Sequence, residues 1–188
     1  MRTTFHSYTF RALLALFCGT ALFAGSAVQA SAALAPEVQA KVDGYLKKLQ
    51  DWAADPAIVS AVKAANAKGG IAGMNNAKWV DLADTAPEVQ AILETSASGK
   101  VHKWGADSGI NKLYVRDAKG NLVAGNNKPL IYNVAARPPF KVAITGTTFH
   151  ATAVKPDPTT QLKSVQIAVP VKDGGSVIGV MHAAVTVE

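Results

Sequence analysis

Residues 164–188 read SVQIAVPVKDGGSVIGVMHAAVTVE, and their alternation decides the fold. Val165, Ile167, Val169 and Val171 alternate with Gln166, Ala168 and Pro170, the period of two that places one face of a strand in a core. Asp173-Gly174-Gly175 supplies residues that accept positive φ, so the chain is expected to reverse there. A second strand resumes at Ser176, with Val177, Gly179, Met181, Ala183 and Val185 on one side. Ile178, Val180, His182, Ala184 and Thr186 lie on the other.

Working outward, the rest of the chain changes character once. From Leu34 to about Trp104 it is rich in alanine and in helical spacing; from Gly109 onward it is rich in Val, Thr, Gly and Pro. Val38, Val42, Tyr45, Leu46, Leu49 and Trp52 recur at three- and four-residue intervals, which predicts an N-terminal helix with one apolar face. Asp55-Pro56 reads as an N-cap followed by proline at the first helical position, and a second helix is expected from Pro56 to about Lys68. GGIAGMNN reads as a loop, and Pro87–Thr95 as a short helix announced by Asp84 and Thr85. Strands are expected at Lys112–Asp117 (KLYVRD) and, after the turn AKGN, at LVAG. Further strands are expected around Lys141–Ile144 and Phe149–Val154, with VKPDPTT as a hairpin loop. Helices first and an antiparallel meander afterwards indicate an α+β domain, not a parallel α/β one.

At the other end, Arg2 and Arg11 precede an apolar stretch, Ala12–Gly25, and small residues follow to Val28-Gln29-Ala30. That is the layout of a cleaved secretory signal peptide over residues 1–30, which predicts a periplasmic or secreted protein. Phe17 before Cys18 is too large for the usual lipoprotein signal. The apolar run also falls short of the ~20 residues that a membrane span needs. Residues 31–188 then suit a single domain with its own core. Cys18 is the only cysteine and leaves with the leader, which excludes a disulfide framework, a cysteine nucleophile and a thiolate metal site. The formal net charge of +6 is thinly spread and partly carried by the leader. With no basic cluster interleaved with aromatics, no nucleic-acid partner is expected.

LYVRDAKGNLVA followed by VQIAVPVKDGGSVIGVMHAAVTVE resembles the extracytoplasmic sensor domains called Cache, or PDC, domains. The preceding long helix, DPAIVSAVKAAN, the tryptophan at Trp79 and the short helix before the first strand are similar too. The resemblance implies a PAS-like five-stranded antiparallel sheet, a long N-terminal helix and short helices packed on it, and a small-molecule pocket on the opposite face. In receptors of this family a membrane span follows the last strand. None follows here before Glu188, so a free-standing, single-domain form is expected.

Candidate ligand-binding residues follow from that arrangement. On the first strand Tyr114 and Arg116 share one face, and Leu113 and Val115 the other. In the PAS-like strand order the last strand lies beside the first, which brings His182 near Tyr114 or Arg116. The alternative is that this face is merely amphipathic and wet. NNKPLIYNVAARPPF corresponds to the family's pocket wall and offers Tyr132 and Arg137. Arg137 fits two roles, a two-hydrogen-bond clamp on a carboxylate or a solvated loop residue. The wall lacks the further aromatic and acidic residues that family members carry, which argues against an amino-acid ligand. Trp79 and Trp104 flank the short helix and fit either stacking on a ligand or packing. His102, His150 and His182 are too scattered for a metal site, and no metal or cofactor is expected.

Catalysis has no comparable support. There is no G-x-S-x-G elbow and no H-E-x-x-H, and Asp81 and Asp84 are explained by helix capping. The chain is therefore expected not to be an enzyme. Two readings remain: an exported binding domain that captures a small organic ligand such as a carboxylate and presents it to a membrane receptor, or an interaction scaffold with a collapsed pocket that forms a homodimer through its N-terminal helix.

Overall fold

The computed structural model describes residues 33–187, so the leader read at residues 1–30 lies outside the described residues. Residues 31–188 form one unit by their mutual contacts. Helix α1 (Pro36–Ala53) and helix α2 (Pro56–Lys68) are joined by a sharp corner, where the Asp55 carboxylate accepts from the Ala57 N–H at 2.8 Å and caps α2 as its sequence implies. Short helices α3 (Asn76–Asp81), α4 (Pro87–Leu93) and α5 (Ser96–Gly105) follow.

Strands β1 (Ile110–Asp117) and β2 (Leu122–Gly125) come next, then α6 (Pro138–Ala143), β3 (Phe149–His150), β4 (Lys155–Pro156), β5 (Lys163–Asp173) and β6 (Ser176–Thr186). The sheet runs β2-β1-β6-β5-β3, all antiparallel, and the two-residue β4 also pairs with β5. The last strand is thus clamped between β1 and β5, the PAS-like arrangement that the resemblance implied.

The closing hairpin turns where the sequence placed it. Asp173 pairs with Ser176 across Gly174 and Gly175, whose φ angles are +55° and +97°. Two successive positive φ values make the primed turn whose twist matches the strands it joins. From this hairpin Val165, Ile167, Val169, Val171, Met181 and Val185 enter one core with Val42, Leu49, Ile58, Val62, Leu113 and Val115. All of these side chains are fully buried. Each contributes on the order of 1.5–3 kcal/mol relative to exposure, so helices α1 and α2 are fastened to this face of the sheet. The opposite face carries two smaller clusters, one of Val134, Phe140, Ala143, Ala168 and Val180, the other around Trp79, Tyr114, Leu122 and Tyr132.

Several local expectations are corrected. The strand expected at Lys141–Ile144 is helix α6, started by Pro138 and Pro139; proline fits a first helical turn because its missing N–H has no partner to lose there. Of the strand expected over Phe149–Val154, only Phe149 and His150 pair, and the chain then leaves the edge. Helix α4 stops at Leu93, and α5, capped by the Thr95 hydroxyl accepting from the Ser98 N–H, was not anticipated. Asp81 closes α3 rather than capping a helix start. VKPDPTT contains β4 at Lys155–Pro156, and only its second half enters the bend between β4 and β5.

Candidate functional site

On the second face of the sheet lies a cavity of about 300 Å³. Its floor comes from β1, β5 and β6 through Lys112, Tyr114, Arg116, Gln166 and His182. Its wall is the segment between β2 and α6, including Leu130, Ile131 and Arg137, together with Phe140 of α6, and Asp157 closes one side. The volume is at the lower end of the range for small-molecule sites.

The pleat explains the floor. Tyr114 pairs directly with His182 and Arg116 with Val180, so Arg116 and His182 are diagonal neighbours on one face. Arg116 is 1% exposed, and its Nε–H donates to His182 Nε2 at 3.0 Å. Its Nη1 donates to the main-chain oxygens of Tyr132 (2.6 Å) and Ile131 (3.2 Å), pinning the wall to the floor. The guanidinium carbon also lies 5.4 Å from the centre of the Tyr114 ring. Among the described residues no carboxylate pairs with Arg116, and its Nη2 makes no hydrogen bond. Burial pushes this guanidinium down to about 10, which still leaves it charged at neutral pH.

His182 responds to the same surroundings. Burial, and then the neighbouring Arg116 charge, hold its pKa well below the usual histidine value, so the ring is neutral. Because the Arg116 Nε–H can only donate, His182 Nε2 must be the unprotonated nitrogen, and the ring proton sits on Nδ1. Tyr114 is also neutral; burial raises its pKa, and its hydroxyl donates to Asn127 Oδ1.

At the side of the cavity Lys112 Nζ bonds Asp157 Oδ1 and the Thr159 hydroxyl, each at 2.7 Å. The same carboxylate accepts from the N–H groups of Thr159 and Thr160. Burial works against its charge, but Lys112 and the Thr159 contacts outweigh burial and hold Asp157 below the usual carboxylate range. Among the described residues that line the cavity, the one carboxylate is therefore already answered by the nearest lysine, and the cations left over are Arg116 and the exposed Arg137.

Of the residues singled out in the sequence, Tyr114, Arg116, Arg137 and His182 line this cavity. Tyr132 contributes its main-chain oxygen, while its hydroxyl turns away to accept from the Ile71 N–H at 2.8 Å. Trp79 stands behind the wall, fully buried, its indole N–H donating to Pro129 O at 2.8 Å and its ring 5.2 Å from that of Tyr132. Trp104 does not reach the cavity. It stacks on Trp52 at 5.3 Å and packs against the helix-side core, because α5 crosses the other face of β1. Lys112, Gln166, Phe140 and Asp157 were missed. Lys112 shares the two-residue spacing of Tyr114 and Arg116, a signal that was available. The carboxylate on the cavity, Asp157, comes from the β4–β5 bend and not from the wall, whose lining residues carry no acid.

No model of a known protein family and no curated protein matches the chain. Solved structures are similar to it. One is the sensor domain of the histidine kinase DctB of V. cholerae, at 16% identity and TM-score 0.42, covering 80% of this chain and 57% of that one. Another is the ligand-binding domain of the Pseudomonas aeruginosa PAO1 amino-acid chemoreceptor PctC in complex with GABA, at 14% and 0.44, covering 81% and 56%. A third is the ligand-binding domain of the Campylobacter jejuni chemoreceptor Tlp3 with 4-methylisoleucine, at 10% and 0.44, covering 80% and 54%. This chain spans a little over half the length of these domains. Its strand order, its helices on one face and its cavity on the other make it an α+β domain with a PAS-like antiparallel sheet.

Proposed function

We propose that this chain is an exported, non-catalytic binding domain of the Cache type that holds a small organic anion such as a short carboxylate. The observation that carries this reading is Arg116: a charged guanidinium, 1% exposed, on the floor of a cavity of about 300 Å³ and without a carboxylate partner among the described residues. A buried charge is costly unless an opposite charge and hydrogen bonds answer it, so the site favours an anionic occupant. Arg137 at the rim adds positive potential that draws such a ligand in. In this reading the leader carries the chain out of the cytoplasm, and the loaded domain is presented to a membrane receptor. The open cavity favours binding over a scaffold whose pocket has closed, and the apolar face of α1 is already spent on its own sheet.

Native mass spectrometry of protein purified from its host, followed by a melting screen with formate, acetate and succinate, tests the proposal. A bound small acid, or a melting temperature that rises with one of the three, is expected. A ligand that binds only the folded state adds about 2.7 kcal/mol at a hundred times its dissociation constant. Protein that carries no small mass and answers to none of the three overturns it.

A further inference from the structure

The contact between Arg116 and His182 has two readings of charge, and only one fits its geometry. Arg116 Nε carries a single hydrogen and no lone pair to offer, so at 3.0 Å His182 Nε2 must be the acceptor. Protonating His182 in that state would set two donors and two positive charges against each other inside a buried site. An anion seated on Arg116 reverses both objections. Its oxygens take over the Nε–H and accept a second hydrogen bond from His182 Nε2, and its charge offsets the guanidinium.

We propose that anion binding in this cavity takes up a proton on His182, so that the site holds its ligand more tightly as pH falls. This rests on the binding reading given above. The proton comes from solvent; no other bond forms or breaks.

Among the groups around His182, it is the one whose protonation the anion changes. From β1 it faces Lys112, Tyr114 and Arg116; from the wall, Arg137; from the β4–β5 bend, Asp157; and from β5, the uncharged Gln166. Arg116 stays protonated through this range. Asp157 stays ionised because Lys112 and Thr159 hold it so. The buried Tyr114 stays neutral. Ligand release at neutral pH and capture in acid then follow from one side chain. Where free and bound pKa values straddle the pH, affinity changes up to tenfold per pH unit.

The test uses residues 31–188 or the full chain with formate, acetate and succinate as probes, from about pH 6 to about pH 8. Formate is fully ionised throughout, so its pH dependence belongs to the protein. Calorimetry in two buffers of different ionisation enthalpy reads the protons taken up, and imidazole ¹³C and ¹⁵N shifts read His182 itself. The expected result is net proton uptake on binding, a His182 ring that is neutral alone and protonated when saturated, and affinity that falls with pH. His182→Gln keeps an acceptor for Arg116 and should bind with no pH dependence. If that variant does not fold, the wild-type shifts still decide. Binding without proton uptake, with the His182 signals unmoved, overturns the coupling and leaves the binding reading standing. No binding of any probe at any pH overturns both.

Discussion

Arg116 and His182 meet diagonally across the β1–β6 pair, with the Arg116 Nε–H given to His182 Nε2 over 3.0 Å. A buried cation is thereby answered by a neutral ring instead of a carboxylate. Replacing Arg116 by Met should abolish any carboxylate-induced rise in melting temperature. It should also lower ligand-free stability by about 1–3 kcal/mol, because the Ile131 and Tyr132 oxygens lose their donor. Arg116→Lys should recover little of the ligand effect, since an ammonium cannot present two parallel donors. Denaturant melts with and without acetate check both halves.

Arg137 gives the complementary case. Its side chain is exposed and makes no hydrogen bond to the described residues, so Arg137→Ala should change ligand-free stability by less than about 0.5 kcal/mol. The acetate-induced rise should shrink, and Arg137→Lys should restore part of it. An unchanged rise in Arg137→Ala would remove the rim from the site.

Stability should depend on pH through His182 even without ligand. Its folded pKa lies below the unfolded value, so below about pH 6.5 the unfolded chain binds more protons than the folded one. Stability is therefore flat above that pH and falls as pH drops toward the folded pKa, by at most about 1.4 kcal/mol per unit from this group. Urea unfolding at a series of pH values should show the slope in the wild type and a smaller one in His182→Gln.

Asp157 should matter to the bend and to the cavity edge together. It is 8% exposed and accepts from Lys112, Thr159 and Thr160, so Asp157→Ala should cost about 2–4 kcal/mol, with a stranded Lys112 charge as the largest part. Its depressed pKa means that this contribution is present above about pH 4 and is lost in stronger acid. Equilibrium unfolding of Asp157→Ala and of Lys112→Met, singly and together, measures the coupling.

The closing turn separates two glycines. Gly175 has φ +97° and should lose about 1–3 kcal/mol as Val; Gly174, at φ +55°, should accept Asn within about 0.5 kcal/mol. Thermal melts of Gly175→Val and Gly174→Asn compare them directly.

The sequence by itself determined what depends on local period and local chemistry. The two-residue alternation of Val165–Val171 and of Gly179–Val185 set the faces of the hairpin; nearer the turn a register shift pairs Lys172 with Val177 and Val171 with Gly179, so Ile178, and not Val177 as expected, packs on the helix-side core. Asp55-Pro56 set the start of α2, and the spacing of Tyr114 and Arg116 set which side chains share the cavity face. These features were legible because neighbours within a few residues create them. Lys141–Ile144 misled because its β-branched residues favour a strand, while the preceding Pro138-Pro139 and the packing of Phe140 and Ala143 against Ala168 and Val180 decide for a helix.

Only the tertiary structure decided the rest. Lys112 and Asp157 are 45 positions apart in sequence, and Arg116 and His182 are 66 apart. Whether such groups meet is set by strand order and by the path of the chain around the sheet. The same holds for the tryptophans: Trp104 and Trp79 flank one short helix in sequence, yet the crossing of α5 sends one to the helix-side core and leaves the other behind the cavity wall. Composition gives each of these residues a chemistry, but desolvation and distance, which turn Arg116 into a buried cation with no carboxylate partner among the described residues and His182 into a neutral ring, exist only once the sheet has closed around them.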